Sequence, residues 1–72
     1  MGKSNVSNNI RKLRFNHDEM TQQELAKQVG VTRQTIIAME QGKYSPSLDL
    51  AFRIAHIFAV PLEEVFSYEP ED

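Results

Sequence analysis

Apolar residues recur along this chain at helical spacing, and they divide it into five segments. Val6, Ile10 and Leu13 follow an i, i+4, i+7 pattern that predicts a first helix over about residues 5–17, capped by Asn5 or Ser7. Arg11, Lys12 and Arg14 lie off or beside that stripe, and a polar link over 16–19 leads to Met20, an apolar staple for the next helix. Thr21 with Glu24 forms a capping-box pattern, and Leu25, Ala26 and Val29 supply the apolar face of the second helix. Gly30 stands where the chain must turn, and Val31 points back inward. Thr32 caps a third helix that buries Ile36 and Met39 and ends at Gly42. Tyr44 to Ser47 reads as a turn, with Ser47 capping a fourth helix and Asp49 in its first turn. That helix is apolar nearly all round (Leu48, Leu50, Ala51, Phe52, Ile54, Ala55, Ile57, Phe58), which predicts a central packing element with one face available to a partner chain. A short fifth helix follows from Val60, with Pro61 and the acids Glu63 and Glu64 in its first turn and Leu62, Val65 and Phe66 docking it. No strand-like alternation of useful length and no repeat is visible. The expectation is one all-α domain over residues 1–72, a compact five-helix bundle with an ordered core of about 5–67 and an acidic tail over 68–72.

Two short helices joined through a glycine turn, over residues 21–43, are the pattern of a helix-turn-helix. With Ile36 and Met39 inward, the third helix turns Arg33, Gln34, Ile37, Ala38 and Gln41 outward. Such a helix fits the major groove of DNA, and its N-terminal residues meet base edges first. Arg33 suits a bidentate contact to guanine and Gln34 one to adenine, while Ile37 suits a thymine methyl group or is a lone surface apolar residue. Gln22 and Gln23 open the second helix, where backbone N–H groups and the dipole favour a phosphate. Thr32, Thr35, Lys43 and Tyr44 are placed to bond phosphate oxygens at the other edge.

Composition narrows the alternatives. The chain has 72 residues and no cysteine, so disulfides and thiolate metal sites are excluded, and a domain of this size gains from dimerisation. No apolar run is long enough to span a bilayer and the start MGKSNVSNNI lacks a leader's apolar segment, which predicts a cytoplasmic protein. The net charge of −2 conceals a split: residues 1–44 carry seven basic and four acidic groups, and residues 45–72 carry one basic and six acidic. A basic half that contains the motif steers that face toward phosphate. His17 and His56 have no metal-binding spacing and Glu63-Glu64 are adjacent rather than facing, so an enzyme, a metal site and a cofactor are not expected.

The run TQQELAKQVGVTRQTIIAMEQGKYSPSLDLAFRIAHIFAVPLEEVF resembles the Cro/CI-type (xenobiotic-response-element) helix-turn-helix regulators, most closely their small stand-alone members. The resemblance covers roughly residues 10–66 and implies a five-helix fold, sequence-specific binding of double-stranded DNA, and a homodimer on a palindromic operator, with a repressor role expected. It also implies that Gln22 buttresses the recognition helix, that Arg14 and Glu40 form a partly buried ion pair bracing it, and that Gly30 makes the turn. A dimer contact is expected around Val60, Pro61, Leu62 and Phe66. The alternative use of the same fold is an antitoxin-like or adaptor module that binds protein. This chain departs from the family pattern in a link between Arg14 and Thr21 about one residue longer than usual, and in Pro61 where many members carry a Ser cap.

Overall fold

The computed structural model describes residues 6–70. Its element order is β1 (Val6–Asn8), α1 (Ile10–Asn16), α2 (Gln22–Val29), α3 (Arg33–Glu40), α4 (Leu48–Phe58), α5 (Leu62–Val65) and β2 (Phe66–Tyr68). The fold is all-α in class, five helices around one core, with a minor two-stranded ribbon made by the two ends of the described chain.

Local chemistry explains most boundaries. Glu24 N donates to Thr21 Oγ1 at 3.0 Å and Thr21 N to Glu24 Oε1 at 2.8 Å, a complete capping box at the start of α2. Gly30 then takes the left-handed conformation at φ +79°, and both its own N–H and that of Val31 close on the Ala26 carbonyl. Thr32 and Ser47 cap α3 and α4 by accepting from Thr35 N and Leu50 N. After α3, Gly42 at φ +76° directs Lys43 N back to the Ala38 carbonyl, which satisfies the end of the helix.

Every helix contributes to the core: Ile10 from α1, Leu25, Ala26 and Val29 from α2, Ile36 and Met39 from α3, Leu50, Ile54, Ala55 and Phe58 from α4, and Val65 from α5. Leu13, Val31, Ile57, Val60, Leu62 and Phe66 pack around it, half-buried. Helix α4 is central, as its composition predicts, but not all round. Leu48 and Phe52 remain 67% and 53% exposed on its outer side.

Four boundaries differ from expectation. The first helix begins at Ile10, because Val6–Asn8 is extended and pairs antiparallel with β2 in the register Val6↔Tyr68, Ser7↔Ser67 and Asn8↔Phe66. Asparagine competes with helix through local side-chain hydrogen bonds, and here Asn8 Oδ1 accepts from Ile10 N at 3.1 Å. Ser7 therefore caps nothing and instead bonds Ser67 across the ribbon at 2.8 Å, while Asn5 lies outside the described residues. Tyr68, expected in the tail, is the last residue of β2, and Phe66 is its first rather than part of the last helix. Pro61 precedes α5 as its cap residue at ψ 158° instead of lying in its first turn.

The long link after α1 is closed by two consecutive left-handed residues, Asp18 (φ 61°) and Glu19 (φ 54°). They bring Met20 N back to the Arg14 carbonyl at 2.9 Å, so the extra residue is absorbed without moving Met20 from the core. Helix α4 ends on Ala59, also left-handed at φ 56° and exposed. A left-handed L-residue costs about 1–2 kcal/mol, part of which glycine would lose again through its freer unfolded chain. Ala59→Gly should therefore stabilise the domain by about 0.5–1 kcal/mol, seen as a higher urea midpoint at unchanged slope.

Candidate nucleic-acid interface

Helix α3 presents its start to solvent and anchors its end. Arg33 and Gln34, the first two residues after the Thr32 cap, are exposed, as is Gln41 beyond the last turn. Ile37 and Ala38 are half-buried on the same helix, so Ile37 is only partly a surface residue. Thr35 is half-buried and bonds the Thr32 hydroxyl at 3.1 Å. Lys43 and Tyr44 are exposed just past the glycine that ends α3.

The two N-termini and the side of α1 meet in a shallow cleft of about 650 Å³. Arg33, Ile37 and Gln41 form its α3 wall, Gln22 and Gln23 its α2 wall, and Arg11 its α1 wall. The first N–H groups of α2, at Gln22 and Gln23, have no acceptor within their own helix. The cleft thus combines guanidinium groups, amides and a helix N-terminus with the carboxylates of Glu19 and Glu40, the second of them paired with Arg14. Arg11, Arg33 and the amides are therefore the groups suited to an anionic, hydrogen-bonding surface. Arg11 was not singled out by the sequence. Its membership of the cleft follows from standing one turn before Arg14, a relation that matters only once α1 packs beside α3.

A polar network holds the far end of α3. Arg14 Nε and Nη2 donate to the two carboxylate oxygens of Glu40 at 2.7 and 3.0 Å, a bidentate pair with side chains only 13% and 9% exposed. Arg14 Nη1 donates to the Met20 carbonyl at 2.9 Å, and Gln22 Nε2 to Glu40 Oε1 at 3.1 Å. The Gln22 side chain is thereby committed to α3. What it offers a ligand in this arrangement is its backbone N–H.

Gly30 also has a neighbour that the sequence did not suggest. Arg53 of α4 donates from Nη1 to the Val29 carbonyl at 2.6 Å and pairs through Nη2 with Asp49 at 3.1 Å. A Cβ on Gly30 would approach Arg53 Nη1 at 3.4 Å. This cation covers the negative end of α2 and ties the helix-turn-helix to α4. The available signal was the one basic residue in an apolar helix, four positions after an aspartate.

The residues expected at a dimer contact separate into two groups. Val60, Pro61 and Leu62 line an open groove of about 510 Å³ together with Phe52 and His56. Phe66 is not part of it; it pairs with Asn8 in the ribbon and packs on the core. His17 sits edge-on to Phe58, with ring centroids 5.5 Å apart.

A helix-turn-helix built of α2 and α3, with the start of α3 capped and exposed and its far end braced, defines a DNA-binding domain. The helix-turn-helix family model matches residues 10–65, and the chain belongs to this family, in its Cro/CI (xenobiotic-response-element) type. It is a DNA-binding transcriptional regulator and not an enzyme. The chain is 51% identical over 67 residues to an uncharacterized HTH-type transcriptional regulator of Methanocaldococcus jannaschii, across 93% of this chain and all of that one. It is 38% identical to the cryptic phage CTXphi transcriptional repressor RstR of Vibrio cholerae, across 85% of this chain and 54% of the repressor. Among solved structures, transcriptional regulator VanUg superposes with a TM-score of 0.75 at 25% identity, covering 99% of this chain and 93% of that one.

Proposed function

We propose that the protein is a cytoplasmic repressor that binds a palindromic operator as a homodimer, inserting α3 of each protomer into the major groove. The observation that carries this reading is the exposure of Arg33 and Gln34 on the first turn of α3, beside the open N-terminus of α2. Arg33, Gln34, Ile37 and Ala38 read bases. The helix N-terminus at Gln22 and Gln23, with Thr32, Thr35, Lys43 and Tyr44, holds phosphates. The repressor assignment is supported by the similarity to a phage repressor.

For the dimer, the support is the apolar strip of Phe52, Val60, Pro61 and Leu62 along one groove, with Leu48 exposed one turn before Phe52. A second copy related by a twofold axis would cover this strip, and binding to adjacent half-sites then requires the two α3 helices to stand about 34 Å apart, one turn of DNA.

Selection of bound sequences from a random duplex pool tests the reading directly. It should return a twofold-symmetric consensus; the absence of any consensus would refute sequence-specific regulation. Placed across a promoter, that consensus should lower transcription in vitro when the protein is added, and a rise would overturn the repressor assignment. Phe52→Glu should shift the sedimenting species from dimer to monomer and weaken binding to the full site much more than to a half-site. A monomer in the unsubstituted protein, free and on DNA, would remove the palindrome argument.

A further inference from the structure

The C-terminal end of α3 is mounted from two sides. On one side the Glu40 carboxylate is gripped by Arg14 and Gln22. On the other, the side-chain amide of Asn8 reaches across 31 positions of sequence to donate from Nδ2 to the Met39 carbonyl at 2.9 Å. The same amide accepts from Ile10 N through Oδ1 at 3.1 Å, so one half-buried side chain bonds the start of α1 and the end of α3 together. Its position is held by the ribbon, where Asn8 faces Phe66, and by Asn9, whose N–H donates to the Val65 carbonyl at 2.8 Å and whose Nδ2 donates to the Glu64 carbonyl at 3.1 Å. Only a side chain that both donates and accepts can make this pair of bonds, which an amide does and a carboxylate does not.

We propose that Asn8 is a positioning residue for the DNA-reading helix, setting the angle at which Arg33 and Gln34 meet base edges. The inference rests on the reading of α3 as the element that enters the groove. An eight-residue helix is about 12 Å long, so a tilt of about 5° at its mounted end displaces its reading end by about 1 Å. Bidentate base contacts tolerate donor–acceptor distances of only about 2.7–3.2 Å and are lost by such a shift. The phosphate contacts at the N-terminus of α2 and at Lys43 lie off α3 and keep their places under such a tilt. Asn8 therefore acts on sequence discrimination and leaves general DNA affinity unchanged. It also links that discrimination to the ribbon of β1 and β2.

The test uses the full chain with Asn8→Asp and Asn8→Ser. Both retain an acceptor for Ile10 N; Asp sets a carboxylate oxygen against the Met39 carbonyl, and Ser is too short to reach it and adds no charge. Affinity is measured for the selected duplex and for a random-sequence duplex across a salt series, with residual dipolar couplings reporting the orientation of α3 relative to α1 and α2. Both variants should lose at least about tenfold in the ratio of selected to random affinity, the order of one bidentate contact. Random-duplex affinity and salt slope should stay at the original values, with α3 rotated. Equal losses on both duplexes, or an unchanged ratio with α3 unrotated, would overturn the proposal. Should the unsubstituted protein itself show no preference, it is the DNA-reading assignment that fails. The couplings then decide the positioning claim alone: an unrotated α3 refutes it and a rotated one upholds it.

Discussion

Glu40→Ala is expected to destabilise this domain by about 3 kcal/mol, because it leaves the Arg14 guanidinium nearly buried and without its bidentate partner. A folded chain of this size holds roughly 4–11 kcal/mol in total, so the loss is a large share of what keeps it folded. Two neighbours suffer as well. Gln22 Nε2 loses its acceptor, and the C-terminal end of α3 loses its tie to α1 and α2. The cost arises from stranding a charge and not from the net strength of the pair. Arg14→Met combined with Glu40→Leu should therefore recover much of the stability, since a packed apolar pair avoids the desolvation of both ions. Urea unfolding of the two single variants and the double variant checks this. Single variants that lose no more than about 1 kcal/mol would show instead that the pair behaves as a solvated surface contact.

Arg33→Ala with Gln34→Ala is expected to remove about 2–6 kcal/mol of discrimination per protomer on the selected duplex, at about 1–3 kcal/mol for each bidentate contact. Stability should barely change, because both side chains are exposed. Lys43→Ala gives the contrast. It should weaken all duplexes alike and reduce the slope of log K against log salt by about 1 per protomer. Competition titrations against random duplex over a salt series separate the two classes. If the Arg33 and Gln34 variants lost affinity equally on every sequence, these residues would belong with the phosphate contacts and the base-reading assignment would fall.

The division between legible and hidden features follows sequence separation. The capping box of Thr21 and Glu24, the left-handed turns at Gly30 and Gly42, and the caps at Thr32 and Ser47 are all decided within four or five residues, and each stands where its local pattern places it. The apolar period likewise marked Leu25, Val29, Ile36, Met39, Ile54 and Val65 for the core. The errors lie where a distant segment competes with a local preference. Val6 continues the helical stripe of Ile10 and Leu13, yet it lies in a ribbon whose partner strand is at the opposite end of the chain. The period alone could not show that, because three-residue strands are too short to display alternation.

By itself, then, the sequence determined that two capped helices meet at a glycine turn and that Arg33 and Gln34 follow the second cap on its outer face. Those outcomes rest on backbone conformations and hydrogen bonds made between near neighbours. Only the tertiary structure decided the rest of how α3 is held, by Asn8 at the Met39 carbonyl and through Arg53 at the end of α2, beside the Arg14–Glu40 pair and the Gln22 buttress that the family resemblance already implied. Each of these polar groups had several possible partners in the chain. The choice among them was made by the burial of the five helices around Ile10, Leu25, Ile36, Ile54 and Val65, which fixes the distances that a hydrogen bond requires.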